Sequence, residues 1–166
     1  VIEVADSRAA LATVAAALSG DPATKMPVIG VTGTNGKTTT CWMLERIFLH
    51  AGQRIGILGT NGHRSGGAPL PDSRLTRYTT PEAPILQAIL AHMRDDGCTV
   101  AAMEVSSIGL ALRRADELPF AVGVFTSLSR DHLDFHADMA DYLAAKRRLF
   151  THLLSPTGRA ILNADD

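Results

Sequence analysis

The segment Val31-Thr32-Gly33-Thr34-Asn35-Gly36-Lys37-Thr38-Thr39-Thr40 constrains the fold more than any other part of the chain. It follows the apolar run Pro27-Val28-Ile29-Gly30 and leads into an amphipathic stretch from Cys41 to Leu49. That order reads as strand, glycine loop, helix. Such a loop turns successive backbone N–H groups toward one point at a helix N-terminus, where the helix dipole also favours anions. Lys37 adds a mobile positive charge, and the Thr38 hydroxyl suits Mg²⁺. The spacing departs from the general phosphate-loop pattern. Val31 stands where that pattern has its first glycine, and the loop glycine is Gly33, three residues before Gly36. A glycine-rich turn joining a strand to a helix is the plain alternative. Gly-Lys-Thr at such a junction favours the phosphates of ATP or GTP.

Apolar runs and helical patterns alternate beyond this point. Strands are predicted at Val28–Thr32, Arg54–Leu58, Thr99–Val105, Ala121–Thr126 and Arg159–Asn163. Helices are predicted at Lys37–Ala51, Pro81–Asp96 and Asp138–Leu153, with Gly52 and Gly97 at C-cap positions. In the second helix Ile85, Leu86, Ile89, Leu90 and Met93 keep the helical period and form a core face. The alternation predicts an α/β fold, a P-loop-type parallel sheet with helices on both faces. Ligands then bind beyond the carboxyl ends of the strands, where the glycine loop, Glu104–Ser107 and Thr126–His132 all fall. Before the first strand, Val1–Val4 reads as a strand, Ser7–Leu18 as an alanine-rich helix and Gly20-Asp21-Pro22 as a linker. The glycine-, proline- and arginine-rich segment Gly59–Arg77 reads as a long loop or loose hairpin.

Composition bounds the function. With 166 residues, 46% of them hydrophobic, the chain suits one soluble domain with a sizeable core. A formal net charge of −1 argues against a nucleic-acid surface. Cys41 and Cys98 read as buried thiols rather than a disulfide or metal pair, which fits a reducing cytoplasm. No apolar window is long enough for a membrane span, and no signal peptide is visible. The start at Val1 and the stop at Asp166, just after an apolar strand, are expected to be cuts in a longer protein.

A second group of residues carries chemistry. Glu104 emerges from the apolar strand Val100–Met103, and a carboxylate there needs a cation or donor. It reads as a Mg²⁺ ligand, with a capping or salt-bridged glutamate as the alternative. Arg130-Asp131-His132-Leu133-Asp134-Phe135-His136 places five ionisable residues within seven positions. It reads as an active-site loop, or as a helix cap with solvated charges. On a helix, His132 and His136 would share a face, but a zinc pair lacks a third ligand of matching spacing. Thr79-Thr80-Pro81-Glu82 reads locally as a capping box, and Lys146 as a solvated helix lysine.

The residues Thr32–Thr40, Thr79–Glu82, Met103–Ser107, Phe125–His136 and Ala144-Ala145-Lys146 with Leu149-Phe150 occur in one order. Taken jointly they resemble the Mur ligases over essentially the whole chain, most closely the members that add a diamino acid. The resemblance implies three domains, with residues 1–24 as the tail of an N-terminal UDP-binding domain and 25–166 as most of a central ATPase domain. A C-terminal domain that helps bind the incoming amino acid lies outside this sequence. The implied reaction is ATP-dependent amide bond formation in the cytoplasm, through an acyl phosphate. The implied substrates are UDP-MurNAc-L-Ala-D-Glu and a diamino acid, meso-diaminopimelate or L-lysine, and the implied state is a monomer.

The resemblance also assigns roles. Gly33, Thr34, Asn35, Gly36, Lys37, Thr38 and Thr39 cradle the phosphates of ATP, with Lys37 on the β- and γ-phosphates. Thr38 and Glu104 hold Mg²⁺, and His132 assists a metal site. Lys146 matches a lysine carbamylated by CO₂, and that carbamate helps position a second Mg²⁺. Lys37, Glu104, His132 and Lys146 are therefore the expected catalytic set. Thr79, Thr80, Ser106 and Arg114 are expected to contact the muramoyl dipeptide. Three positions depart from the family pattern. Ile108 replaces a histidine, Leu112 a glutamine and Ser127 an asparagine.

Overall fold

The structure is a computed structural model and describes residues 3–71 and 78–165. Val1, Ile2 and the last six residues of the expected Gly59–Arg77 loop lie outside the described residues. In chain order the elements are α1 (Ser7–Leu18), α2 (Pro22–Lys25), β1 (Val28–Thr32), α3 (Lys37–His50), β2 (Ile55–Gly59), β3 (Gly62–Ser65) and β4 (Ala68–Pro69). There follow α4 (Ala83–Asp95), β5 (Val100–Glu104), α5 (Ser107–Ala111), β6 (Phe120–Phe125), α6 (Met139–Thr151) and β7 (Leu154–Leu162).

The strands form one sheet in the order β4-β3-β2-β5-β1-β6-β7. From β2 to β7 all neighbours are parallel, as expected. At the other edge β3 and β4 are antiparallel, so the sheet is mixed rather than wholly parallel. The hairpin alternative expected for Gly59–Arg77 is thus the one formed over its described part. Apolar alternation does not mark its strands because the inward side chains are polar. His63 and Ser65 are buried, and Ser65 bonds Asp96 and the Cys98 thiol. Arg64 ties the hairpin to α3 through the buried Glu45, at 2.7 Å. Glu3 and Val4 are in no strand.

Alternation along the central strands divides the core in two. Val28, Leu58, Ala101, Met103 and Phe120 face α4 and α6, together with Leu86, Leu90, Met93 and Leu149. Ile29, Val31, Ile55, Ile57, Val100 and Ala102 face α3, with Cys41, Leu44 and Phe48. Two fully covered faces explain why these strands read as unbroken apolar runs. On α4 the expected core face is narrower, because Ile85 is 46% exposed and Ile89 only packs at the margin.

Gly52 and Gly97 close α3 and α4 at φ +74° and +81°, and the following N–H groups of Gln53 and Cys98 reach back to Phe48 and Met93. Strand β1 is central, with β5 on one side and β6 on the other. The connection from β5 to β6 therefore crosses β1, and a crevice opens beyond the carboxyl ends of these three strands.

Candidate active site at the carboxyl ends of β1, β5 and β6

The glycine loop after β1 leans on the segment after β6. The Thr34 N–H donates to the Ser127 carbonyl at 2.7 Å, and the Thr126 hydroxyl donates to the Asn35 carbonyl at 2.5 Å. Ser127 Oγ accepts from the Asn35 N–H at 3.2 Å. Gly33 has φ +144°, and a Cβ there would collide with the Thr126 hydroxyl and the Ser127 backbone. Only glycine gives this approach. Gly36 at φ +85° caps α3 without a side-chain bond. The first-turn N–H groups of this helix are thus left for an anion. Asn35 and Thr39 are exposed.

Lys37 folds back over the loop, donating to the carbonyls of Gly33 at 2.8 Å and Thr34 at 2.9 Å. Burial lowers its pKa, opposed by the charges of Glu104 and Asp131. Glu104, at the end of β5, is 2% exposed. One carboxylate oxygen accepts from the Thr60 N–H at 3.0 Å, and the other from the hydroxyls of Thr38 at 2.9 Å and Thr60 at 3.2 Å. Gly59 makes room for this carboxylate, since a Cβ there would overlap it.

Lys146 is 1% exposed and is not a solvated helix lysine. Helix α6 carries its Nζ under the loop to donate to the Gly33 carbonyl at 2.9 Å, 4.3 Å from the centre of the Tyr142 ring. Burial, with the Lys37 charge in second place, pushes the Lys146 ammonium down to about 7. Cys41 is a buried free thiol, pushed up to about 12 chiefly by burial.

The Arg130–His136 segment forms a single turn, not a helix, with the N–H groups of Phe135 and His136 donating to the His132 carbonyl. The two histidines therefore part company. His132, at φ +52°, is half exposed and lies edge-on to Tyr142 at 6.1 Å. His136 is buried between Ser107 and Asp141. Among the described residues no group of three or more His, Cys, Asp or Glu is placed to hold a metal. Thr38 and Glu104 are brought together, while His132 and Lys146 meet at Tyr142 rather than at Glu104.

Thr79, Thr80, Ser106 and Arg114 form one cluster beside this crevice. The buried Thr80 hydroxyl bonds the Glu104 carbonyl at 3.1 Å and accepts from the Ser106 N–H at 2.9 Å. Ser106 Oγ caps α5 through the Gly109 N–H at 3.0 Å. Arg114 donates to the Thr80 carbonyl at 3.2 Å, pairs with Glu82 at 2.8 Å and lies over the Tyr78 ring. The capping box is not formed. Helix α4 begins at Ala83 with Glu82 at its cap, because Thr79 turns to the Thr60 hydroxyl at 3.1 Å and Glu82 turns to Arg114. These tertiary bonds outweigh a local cap.

The Mur ligase middle domain model matches residues 31–166. This chain belongs to the Mur ligase family. It is 45% identical over 170 residues to the UDP-N-acetylmuramoyl-L-alanyl-D-glutamate–2,6-diaminopimelate ligase of Geobacter sulfurreducens, covering 99% of this chain and 33% of that relative. A solved structure of a ligase with the same printed name superposes with a TM-score of 0.73 at 34% identity, over 85% of this chain and 27% of that one. Mycobacterium tuberculosis folylpolyglutamate synthase, solved with ADP, shares the fold at a TM-score of 0.75 and 22% identity, over 95% of this chain and 41% of that one. This Mur ligase chain spans about a third of the length of the curated relatives it matches.

The sequence placed Thr126 and Asp131 of this Mur ligase chain in the site region without giving them roles, and missed Thr60 and Tyr142. Thr60 and Thr126 tie Glu104 and the loop in place, and Asp131 acts on both Lys37 and Lys146. Tyr142 joins Lys146, His132 and the Thr34 hydroxyl, 3.1 Å from its own. A tyrosine at an ordinary amphipathic position gives no local signal of this. Of the three departures, Ser127 supports the loop, while Ile108 and Leu112 lie half-buried one turn apart at α5.

Proposed function

We propose that this chain is the ATP-binding centre of a ligase that adds a diamino acid, 2,6-diaminopimelate rather than L-lysine, to UDP-MurNAc-L-Ala-D-Glu in peptidoglycan precursor synthesis. The names of the relatives favour the diaminopimelate branch. One observation carries the reading. Two lysine nitrogens, the Lys37 ammonium and the readily deprotonated Nζ of Lys146, converge on the Gly33 carbonyl beside a helix N-terminus and a buried carboxylate. In this reading residues 25–166 are the central domain and 1–24 the tail of the preceding one, and a C-terminal domain completes the amino-acid site. The isolated chain then binds nucleotide without turnover. The proposed setting is a cytoplasmic monomer; no helix among the described residues is long and apolar enough to cross a membrane.

The chemistry requires an anion to approach an anion. The γ-carboxylate of D-Glu attacks the terminal phosphorus of ATP, ADP leaves, and the acyl phosphate is then opened by the amine. Gly33 to Thr39 hold the phosphates, and Lys37 leaves the loop carbonyls to meet the transferring phosphate. Thr79, Thr80, Ser106 and Arg114 border the proposed dipeptide site; Thr80 acts by fixing this border, since its hydroxyl is committed to protein partners. Orientation and positive charge are what such a site supplies.

The residues present fit Mg²⁺. Glu104 is buried, its hydrogen-bond partners among the described residues are the neutral donors Thr38 and Thr60, and its carboxylate faces the Thr38 hydroxyl at 2.9 Å. Such oxygen donors suit a hard divalent cation, with His132 at the margin. When bound, Mg²⁺ offsets the charge on the phosphates. Lys146, whose ammonium burial pushes down to about 7, gives up its proton more readily than an exposed lysine and can then add CO₂ to form a carbamate, releasing a proton. The test is phosphate release by the intact ligase. Release that requires both UDP-MurNAc-L-Ala-D-Glu and 2,6-diaminopimelate is expected; release indifferent to both would overturn the proposal.

A further inference from the structure

His136 is a buried histidine with no part in the chemistry above, yet it is bonded on both sides. Its Nε2 lies 3.0 Å from Ser107 Oγ and its Nδ1 lies 3.2 Å from Asp141 Oδ2. Ser107 opens α5 next to Ser106, and Asp141 lies in the first turn of α6, one residue before Tyr142. The ring also packs against Phe135 at 5.0 Å and Tyr142 at 5.2 Å. The order serine, histidine, aspartate is that of a hydrolytic triad, but Ser107 is 1% exposed and no substrate reaches its hydroxyl. The network must act on the protein itself.

Its effect falls on His132. That residue has φ +52°, a left-handed conformation that disfavours a side chain. Three bonds secure it. The N–H groups of Phe135 and His136 both donate to the His132 carbonyl, and the His132 N–H donates to Asp131 Oδ1 at 2.8 Å. The turn is short, so its far end must be anchored, and His136 is that anchor.

We propose that His136 is a positioning residue: through Ser107 and Asp141 it clamps the 132–136 turn between α5 and α6 and so holds His132 at the edge of the nucleotide site. This rests on the reading of His132 as part of the Mg²⁺–nucleotide site. Partners that orient a metal-site residue in this way typically matter 10- to 100-fold for metal affinity or activity.

The test is calorimetric binding of a non-hydrolysable ATP analogue to the intact ligase at graded Mg²⁺, with amide exchange of residues 132–136 measured alongside. His136→Phe keeps a ring against Tyr142 and removes both hydrogen bonds. It is expected to raise the Mg²⁺ needed for half-maximal binding about 10-fold and to speed exchange in the turn, with exchange in β1 unchanged. His136→Gln, whose amide can still meet Ser107, should recover part of the loss. A folded His136→Phe protein with the parent Mg²⁺ requirement and exchange would overturn the proposal. If that variant fails to fold, Ser107→Ala must shift the Mg²⁺ requirement in the same direction, and no shift overturns the proposal equally. Failure of the parent protein to bind the analogue with Mg²⁺ would instead sink the reading of the site itself.

Discussion

Lys37 and Lys146 donate to the same acceptor, the carbonyl oxygen of Gly33, at 2.8 and 2.9 Å. Two ammoniums on one oxygen repel each other, and the second sits in a buried pocket beneath the loop. The pKa of Lys146 falls to about 7 for these reasons, burial first. A lysine so placed is suited to lose its charge.

Stability should therefore depend on pH through Lys146. Its pKa is about 7 in the folded chain against an ordinary value of 10.5. Folding then releases a proton between these limits, so stability rises with pH across that window. Below it the cost of burying the ammonium is present in full, and above it the cost is gone. Lys146→Met removes the titration. Its stability gain over the parent, read from denaturant melts of the Mg²⁺-free protein, should be largest near pH ~6 and shrink toward pH ~10. A gain that stays constant would contradict the assignment.

Activity should need the same nitrogen. In the intact ligase Lys146→Ala is expected to lower kcat by about 100-fold or more, the scale for losing one charge-stabilising group. Added bicarbonate should not restore it. A carbamate carbon resonance from ¹³C-labelled bicarbonate should be present in the parent protein and missing in the variant. Parent rates in Lys146→Ala would refute the carbamate role.

The Gly33→Ala variant tests the loop itself. A Cβ there meets Thr126 and Ser127 at φ +144°, so the loop must distort. A loss of about 1–3 kcal/mol in chemical denaturation is expected, together with loss of nucleotide-analogue binding. An unchanged dissociation constant would show that the loop does not carry the phosphates.

Much of this architecture was legible because it is local. The run Val28–Thr32 is a strand with those bounds, and Gly52 and Gly97 close their helices where a left-handed residue is required. What escaped is tertiary. Strand β7 starts at Leu154, ahead of the expected start at Arg159, because Ser155-Pro156-Thr157-Gly158 carries no apolar run; the pairing with β6 shifts register there. Strand β3 has polar inward residues satisfied by partners far away in sequence. Helix α5 is five residues long, too short for periodicity to detect. In the site, the glycine loop and Glu104 announced themselves by motif and by charge in an apolar run. Lys146 stood out only through the family resemblance and not by its local pattern, because its burial depends on α6 packing under a loop more than a hundred positions earlier.

The pair Arg114–Glu82 makes a separate prediction. Arg114 is buried, and Glu82 supplies the carboxylate 2.8 Å away. Glu82→Gln leaves the guanidinium without its charge partner and should cost about 2 kcal/mol in equilibrium unfolding. If the Thr79–Arg114 cluster borders the dipeptide site, the KM for UDP-MurNAc-L-Ala-D-Glu should rise while that for ATP stays put. A rise in the KM for ATP alone would place the cluster elsewhere.

The central claim is that the cations gathered at the loop let a carboxylate attack the terminal phosphate of ATP. Turnover by the intact ligase of UDP-MurNAc-L-Ala-D-Glu labelled with ¹⁸O in the γ-carboxylate of D-Glu tests this directly. Attack at phosphorus makes a labelled oxygen the bridge of the acyl phosphate, and the departing phosphate carries it away. Inorganic phosphate bearing a single ¹⁸O atom is the predicted product. Unlabelled phosphate released in step with tripeptide would contradict the account.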